Sequence, residues 1–364
     1  MKKRVTYFDL AKGIGIILVV LGHMENINTG LRVWISSFHM PLFFVISGML
    51  MACKGEADLF AESDDFSALA KKKAKGILVP YLWFSLIYIP IDIMNLYIHN
   101  VDMHTFIQNI LDSITLSGVS VMWFLPALFI AEVTAIYIIN LVKKYKKTDK
   151  LIPNYVLVYV CALILTIVAF LVWSMIRPYY EANSGSYVVA TALGFVRMIL
   201  RGLAMGIHVV TGFIMYKVIT ATEAKFKNYT LPAGVILFVL NIGLCMKNGA
   251  VDNHFLTLNF LPLYFLCAFL GSMAIILISK GLGGSIPFIE FFGKNSLVIM
   301  ATHLQCYLLY AGIRIALLID MYVTRAKSYV YMFNSVLFTM LIEVVVILII
   351  NRFFPFVLGR KRNK

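Results

Sequence analysis

Apolar stretches close to 20 residues long recur along the whole chain, separated by short charged or polar punctuation. About 20 residues of helix cross a hydrocarbon layer. The pattern predicts about ten spans, near 10 to 27, 34 to 53, 77 to 98, 120 to 142, 152 to 173, 195 to 217, 231 to 246, 257 to 279, 295 to 316 and 330 to 351. The expected fold is therefore all-α, a polytopic membrane helix bundle. No internal period, low-complexity tract or long linker divides it, so residues 1–364 read as one integral-membrane domain. The longest polar segments, near 54 to 75 and 99 to 119, read as loops between spans.

Helix-perturbing residues punctuate several spans: Pro41, Pro90, Pro126 and Pro262, with Gly13, Gly15 and Gly22 in the first. Small residues let neighbouring helices approach closely, and prolines free backbone groups that must find partners inside the bundle. The acidic run Glu62-Ser-Asp-Asp65 before Lys71-Lys-Lys-Ala-Lys75 reads as a solvated charged face, where Asp64 or Asp65 can cap the helix that follows.

Composition agrees with the pattern. The 364 residues are 61% hydrophobic and 14% charged, and the mean hydropathy is +0.86, well beyond the apolar content of a soluble domain. A net charge of +14 invites a nucleic-acid reading, but the cations cluster on alternate boundaries: Lys2, Lys3 and Arg4, then Lys71 to Lys75, then Lys143 to Lys150, then Arg360 to Lys364. That is positive-inside topology, not a nucleic-acid footprint. It places both termini in the cytosol and turns the segments near 28 to 33, 99 to 119, 174 to 190, 247 to 256 and 317 to 328 outward. The N-terminus resembles a signal peptide, yet it carries Lys12 and His23 and lacks a small-residue cleavage site, so it is kept as the first span. Cys53, Cys161, Cys245, Cys267 and Cys306 form no CxxC pair, and neither a disulfide framework nor a metal site is expected.

The candidate chemistry lies in polar residues at bilayer depth, which are costly there and by default functional. His23 lies inside the first span. Lys12 lies eleven residues earlier, which returns it to within about 20° of the same helix face and about 16 Å along the axis. One stripe thus joins a cation to a potential base, and Asp9 can pair with the lysine; alternatively Lys12 snorkels to the interface and His23 bonds a neighbouring span. His39 and His303 raise the same question. Arg197, Arg201 and His208 share another helix face, either to bind an acidic or hydroxyl-rich acceptor or to meet lipid headgroups and a partner such as Glu132, Glu290 or Glu343. Trp34, Trp123 and Trp173, with Tyr179 and Tyr180, fit an aromatic interface belt better than sugar stacking.

Five blocks resemble the acyltransferase-3 family, and within it the fucose 4-O-acetylase-like group. They are Phe8-Asp-Leu-Ala-Lys-Gly-Ile-Gly-Ile-Ile-Leu-Val-Val-Leu-Gly-His23, Phe38-His-Met-Pro-Leu-Phe-Phe-Val-Ile-Ser-Gly48, Lys75-Gly-Ile-Leu-Val-Pro-Tyr81, Trp123-Phe-Leu-Pro-Ala-Leu-Phe129 and Gly293-Lys-Asn-Ser-Leu297. The resemblance implies a ten-helix bundle of the bacterial plasma (cytoplasmic) membrane. It would move an acyl group from cytosolic acyl-CoA, acetyl-CoA first, to a hydroxyl of a cell-surface or lipid-linked carbohydrate. The family's first-span histidine falls on His23 and its basic residue on Lys12. Donor contacts then fall to Lys12, Lys72 and Lys75. Glu25 joins His23 as a catalytic candidate, and His39, Trp123, Arg197, Arg201, Asn295 and His303 are candidates for the acceptor. The rival from another class is a secondary transporter relaying protons or an anion through the same buried residues; the paired broken helices in an internal repeat that would mark one are not seen.

Overall fold

With no water in hydrocarbon to satisfy backbone groups, a chain this apolar has to close its hydrogen bonds within helices. A computed structural model describes residues 5–25, 27–59, 65–99, 101–145, 150–283, 286–321 and 328–360. The expected roles of Lys2, Lys3, Arg4, Glu62, Asp64, Lys146, Lys147, Lys361, Arg362 and Lys364 fall outside them. Helices dominate the described residues, with one isolated bridge between Asp252 and Thr257. Among the described residues, seven helical stretches are long and apolar enough to cross a membrane, and one of them, Tyr187–Asn248, contains two helices joined by a turn.

Helix α1 (Thr6–Gly22) carries the Lys12–His23 stripe. The predicted second span divides into α2 (Thr29–Ser36), capped by Asn28, and α3 (His39–Lys54). Helix α4 (Phe66–Ile98) starts on Asp65, whose carboxylate accepts Ser67 N–H at 2.9 Å. The segment near 99 to 119, read from sequence as a loop, contains helix α5 (Met103–Ile114), capped by Asp102. Its apolar residues Phe106, Ile107, Ile110 and Ile114 recur at helical spacing, but over too few residues to register as a span. Helices α6 (Phe124–Tyr145), α7 (Leu151–Ala182), α8 (Tyr187–Phe226), α9 (Thr230–Asn248) and α10 (Leu261–Gly281) follow, then α11 (Pro287–Lys294).

Pro90 sits inside α4 as expected, joined by Pro80. Pro41, Pro126 and Pro262 instead fall in the first turns of α3, α6 and α10, where the missing N–H has no intrahelical acceptor to serve. They start helices rather than interrupt them.

The ninth predicted span, 295 to 316, is also broken. Helix α12 (Ser296–Thr302) ends in a turn through the left-handed Tyr307, and α13 (Leu308–Ile319) follows. Polar groups of α4 satisfy the opened backbone and its side chains: the Tyr88 hydroxyl donates to the Ala301 carbonyl, the Tyr307 hydroxyl to Asn95 Oδ1 at 2.6 Å, and Gln305 Nε2 to Asp92 at 3.1 Å. Helix α14 (Ser328–Phe353) and a short turn, Pro355–Leu358, are the last described elements.

Two close helix approaches fix the centre. Helix α1 lies so near α11 that a Cβ on Gly13 would stand 2.0 Å from the Ile289 carbonyl oxygen. Helix α3 meets α8 in the same way, a Cβ on Gly48 standing 1.9 Å from the Val209 carbonyl oxygen. Without lipid-driven hydrophobic attraction between helices, such small-residue contacts are what allow dense packing.

Candidate functional site

A cavity of about 860 Å³ touches both ends of the α1 stripe. At one end Lys12, Lys54 and Arg360 line it; at the other, Arg32, Trp123 and His254. His23 and His39 lie on its wall, and so do Ser47 of α3 and Phe43. Lys12 also pairs with Asp9 at 3.0 Å, a carboxylate that is itself buried.

Three histidines are held in one way. His23 Nδ1 lies 2.8 Å from the Val19 carbonyl oxygen, His39 Nδ1 2.7 Å from Ile35 O, and His303 Nδ1 2.7 Å from Ile299 O. Each of these carbonyls lies in the last turn of a helix and also takes a backbone N–H, from His23 and Phe38 at 3.3 Å and from His303 at 3.0 Å, so the ring shares a carbonyl oxygen that has two lone pairs. A carbonyl can only accept, so Nδ1 must carry the hydrogen and Nε2 is left with its lone pair. His23, with Nε2 as its basic nitrogen, is one of the residues that line the cavity. His303 is fully buried behind it, with Nε2 3.5 Å from His23 Nδ1 and the rings edge to face at 5.1 Å.

The end away from Lys12 is built by the loop between α9 and α10. Asn259 Nδ2 donates to the carbonyls of Asn248 and Ala250, and Asp252 pairs with Thr257 through two backbone bonds. His208 of α8, Tyr264 of α10 and Asn253 form a hydrogen-bonded chain, 3.2 Å from His208 Nε2 to the hydroxyl and 2.6 Å from there to Asn253 Oδ1. His208 therefore braces this loop. The loop sets His254 face to face with Trp123, ring centroids 5.5 Å apart. Burial, and then the Arg201 and Arg197 guanidiniums, push the His254 imidazole down to about 2, so it stays neutral at ordinary pH.

A family model described as an acyltransferase domain matches residues 5–360. The chain belongs to the acyltransferase-3 family. Neither curated proteins nor solved structures return a match. In this acyltransferase, the match takes in both the α1 stripe and the C-terminal Arg360 on the cavity wall.

The structure gathers His23, Lys12, His39 and Trp123 around the cavity and leaves other candidates outside its wall. Glu25 is exposed. Lys75 is exposed too, and its carbonyl packs near Gly359. Lys72 bonds Glu56 at 2.7 Å, and Lys73 bridges Glu56 and Glu132 at 2.8 and 3.1 Å. Burial pushes the Glu56 carboxyl up, but the two lysines outweigh it and hold it below the usual range. Asn295 braces instead of lining: it bonds Phe291 O, and its Oδ1 accepts Asn351 Nδ2 at 2.9 Å, while Asn351 Oδ1 accepts Arg360 at 3.2 Å.

Trp123 and Trp173 are buried, and Trp173 Nε1 donates to Phe255 O at 2.9 Å, so neither belongs to a lipid-facing belt. Arg197 and Arg201 are buried as well, which removes the headgroup reading. Their suggested partners are engaged elsewhere: Glu132 by Ser47 and Lys73, Glu290 by Lys294, Glu343 by Thr302. Lys54, Arg360, Arg32 and His254 were missed by sequence reasoning. A cation at a span boundary was the available signal, but boundaries hold many cations and the cavity selects only a few.

Proposed function

We propose that this acyltransferase moves an acyl group, acetyl first, from a cytosolic acyl-CoA to a carbohydrate hydroxyl delivered from the other side of the membrane. The observation that carries the reading is one cavity lined by Lys12 at one end of α1 and by His23 at the other. Lys12, Lys54 and Arg360 supply the positive charge that CoA phosphates need. Lys12 lies about 16 Å from His23 along α1, which suits an extended pantetheine arm. Only the acyl group would then have to pass the imidazole.

His23 Nε2 takes the proton of the acceptor hydroxyl as its oxygen attacks the thioester carbonyl. The C–S bond breaks, the acyl ester forms, and the CoA thiolate leaves with the proton that His23 held. The Val19 carbonyl fixes the tautomer this requires. His303 Nε2 faces His23 Nδ1–H and can steady the imidazolium formed in that step.

Sealed vesicles containing the protein, given labelled acetyl-CoA on one side, test the scheme. Label should reach an acceptor on the opposite side while CoA stays with the donor. Label recovered as intact acetyl-CoA across the membrane would overturn it.

A further inference from the structure

Arg197 and Arg201 stand one helical turn apart on α8, and Arg201 is 0% exposed. Nε and Nη1 of Arg197, and Nε, Nη1 and Nη2 of Arg201, are buried without a hydrogen-bond partner. Rings face both charges: Trp123 lies 4.8 Å from Arg201, and Phe255 and Tyr180 lie 4.8 and 4.9 Å from Arg197. Ring faces attract a cation but offer no lone pairs to five orphaned nitrogens. Asp112 and Asp252 act on Arg201 electrostatically. Neither completes it: no Arg201 nitrogen hydrogen-bonds to either carboxylate, while Asp112 Oδ1 accepts from Gln108 at 2.9 Å and Asp252 Oδ1 accepts the backbone N–H of His254 and Phe255.

Two buried guanidiniums without acceptors are a costly arrangement, and what would complete them is an oxyanion matching their planar forks. We propose that Arg197 and Arg201 bind the acidic group of the acceptor, so that the substrate is an anionic saccharide bearing a carboxylate or a phosphate. This rests on the acyl-transfer reading and adds the acceptor class to it. Trp123 joins the site to the cavity: it lines the wall, packs on Arg201 and stacks with His254. Because Arg201 is sealed, an acceptor arriving through the cavity reaches it only when Trp123 or His254 swings aside. The neutral His254 beside the arginines leaves their charge uncontested by a third cation.

The test uses the full-length protein in detergent, with glucuronate, glucose 1-phosphate, glucose and inorganic phosphate as probes in calorimetry. One anionic sugar, or both, should bind at least roughly tenfold tighter than glucose, the range expected for a charge-assisted pair. Preference for glucuronate assigns a carboxylate, preference for glucose 1-phosphate a phosphate. Arg201→Lys keeps the charge, loses the fork and should lose the preference, while acetyl-CoA binding stays. The wild-type comparison stands alone if that variant does not fold. Equal binding of all three sugars overturns the inference, and inorganic phosphate binding alone does too, since it marks a structural ion. Acyl transfer to neutral and anionic sugars at the same rate would remove the inference and spare the acyl-transfer reading. Anion preference without transfer to any acceptor would do the reverse.

Discussion

Gly48→Ala joins packing to function in one substitution. Its new Cβ would lie 1.9 Å from the Val209 carbonyl oxygen and 2.9 Å from Phe213 N, whereas ordinary contact begins at 3.4 Å, so α3 and α8 must part by roughly 1.5 Å. The obstructing atoms are backbone, so no rotamer change relieves them. Overpacking of this kind costs about 1–3 kcal/mol. The larger effect falls on activity, because α3 carries His39 and Ser47 on the cavity wall, and a misplacement of about 1 Å can cost roughly 100-fold in rate. The control is Gly243→Ala in α9, where nothing lies within 4 Å of the added carbon. Thermal midpoints in detergent and acyl transfer in native membranes should both fall for Gly48→Ala and hold for Gly243→Ala. Equal behaviour of the two variants would refute the close α3–α8 contact as a determinant of the site.

Other outcomes follow from the same geometry. Lys73→Met leaves Glu56 and Glu132 as buried carboxylates without their shared lysine and should cost about 3–5 kcal/mol in a denaturation series, whereas Lys72→Gln, at a side chain 62% exposed, should cost no more than about 1 kcal/mol; equal losses would contradict the assignment. His254 is neutral when folded and titrates near 6.5 when unfolded, so the unfolded chain binds the extra proton between about 6.5 and 2 and stability falls as pH drops through that window. His254→Phe should flatten the acid slope of the thermal midpoint, and an unchanged slope would count against the neutral buried ring. His303→Gln should lower kcat by roughly tenfold with KM unchanged if His303 positions His23, while a KM effect alone would make it a binding residue.

The Lys12–His23 stripe was legible because α1 is regular, so spacing alone fixes which residues share a face. The break at His303–Tyr307 was not, because apolar residues continue through it and the groups that satisfy its backbone, such as Tyr88, lie some 200 positions away in the chain. Helix α5 escaped notice because it is too short to count as a span. The run Lys71-Lys-Lys-Ala-Lys75 showed charge but not pairing, and only the fold reveals that Glu56 takes Lys72 and Lys73. Arg197 and Arg201 were seen as a stripe, but three distant glutamates suggested as partners proved to be spoken for. Long-range pairing, unlike helical periodicity, leaves no local trace.

The proposed transfer turns on His23 Nε2 as the base. Single-turnover transfer from labelled acetyl-CoA, measured in wild type and in His23→Gln with donor binding followed in parallel, tests it most directly. The expected result is a loss of roughly 100- to 10,000-fold in the transfer step with donor affinity retained. Transfer at the wild-type rate in His23→Gln would contradict it.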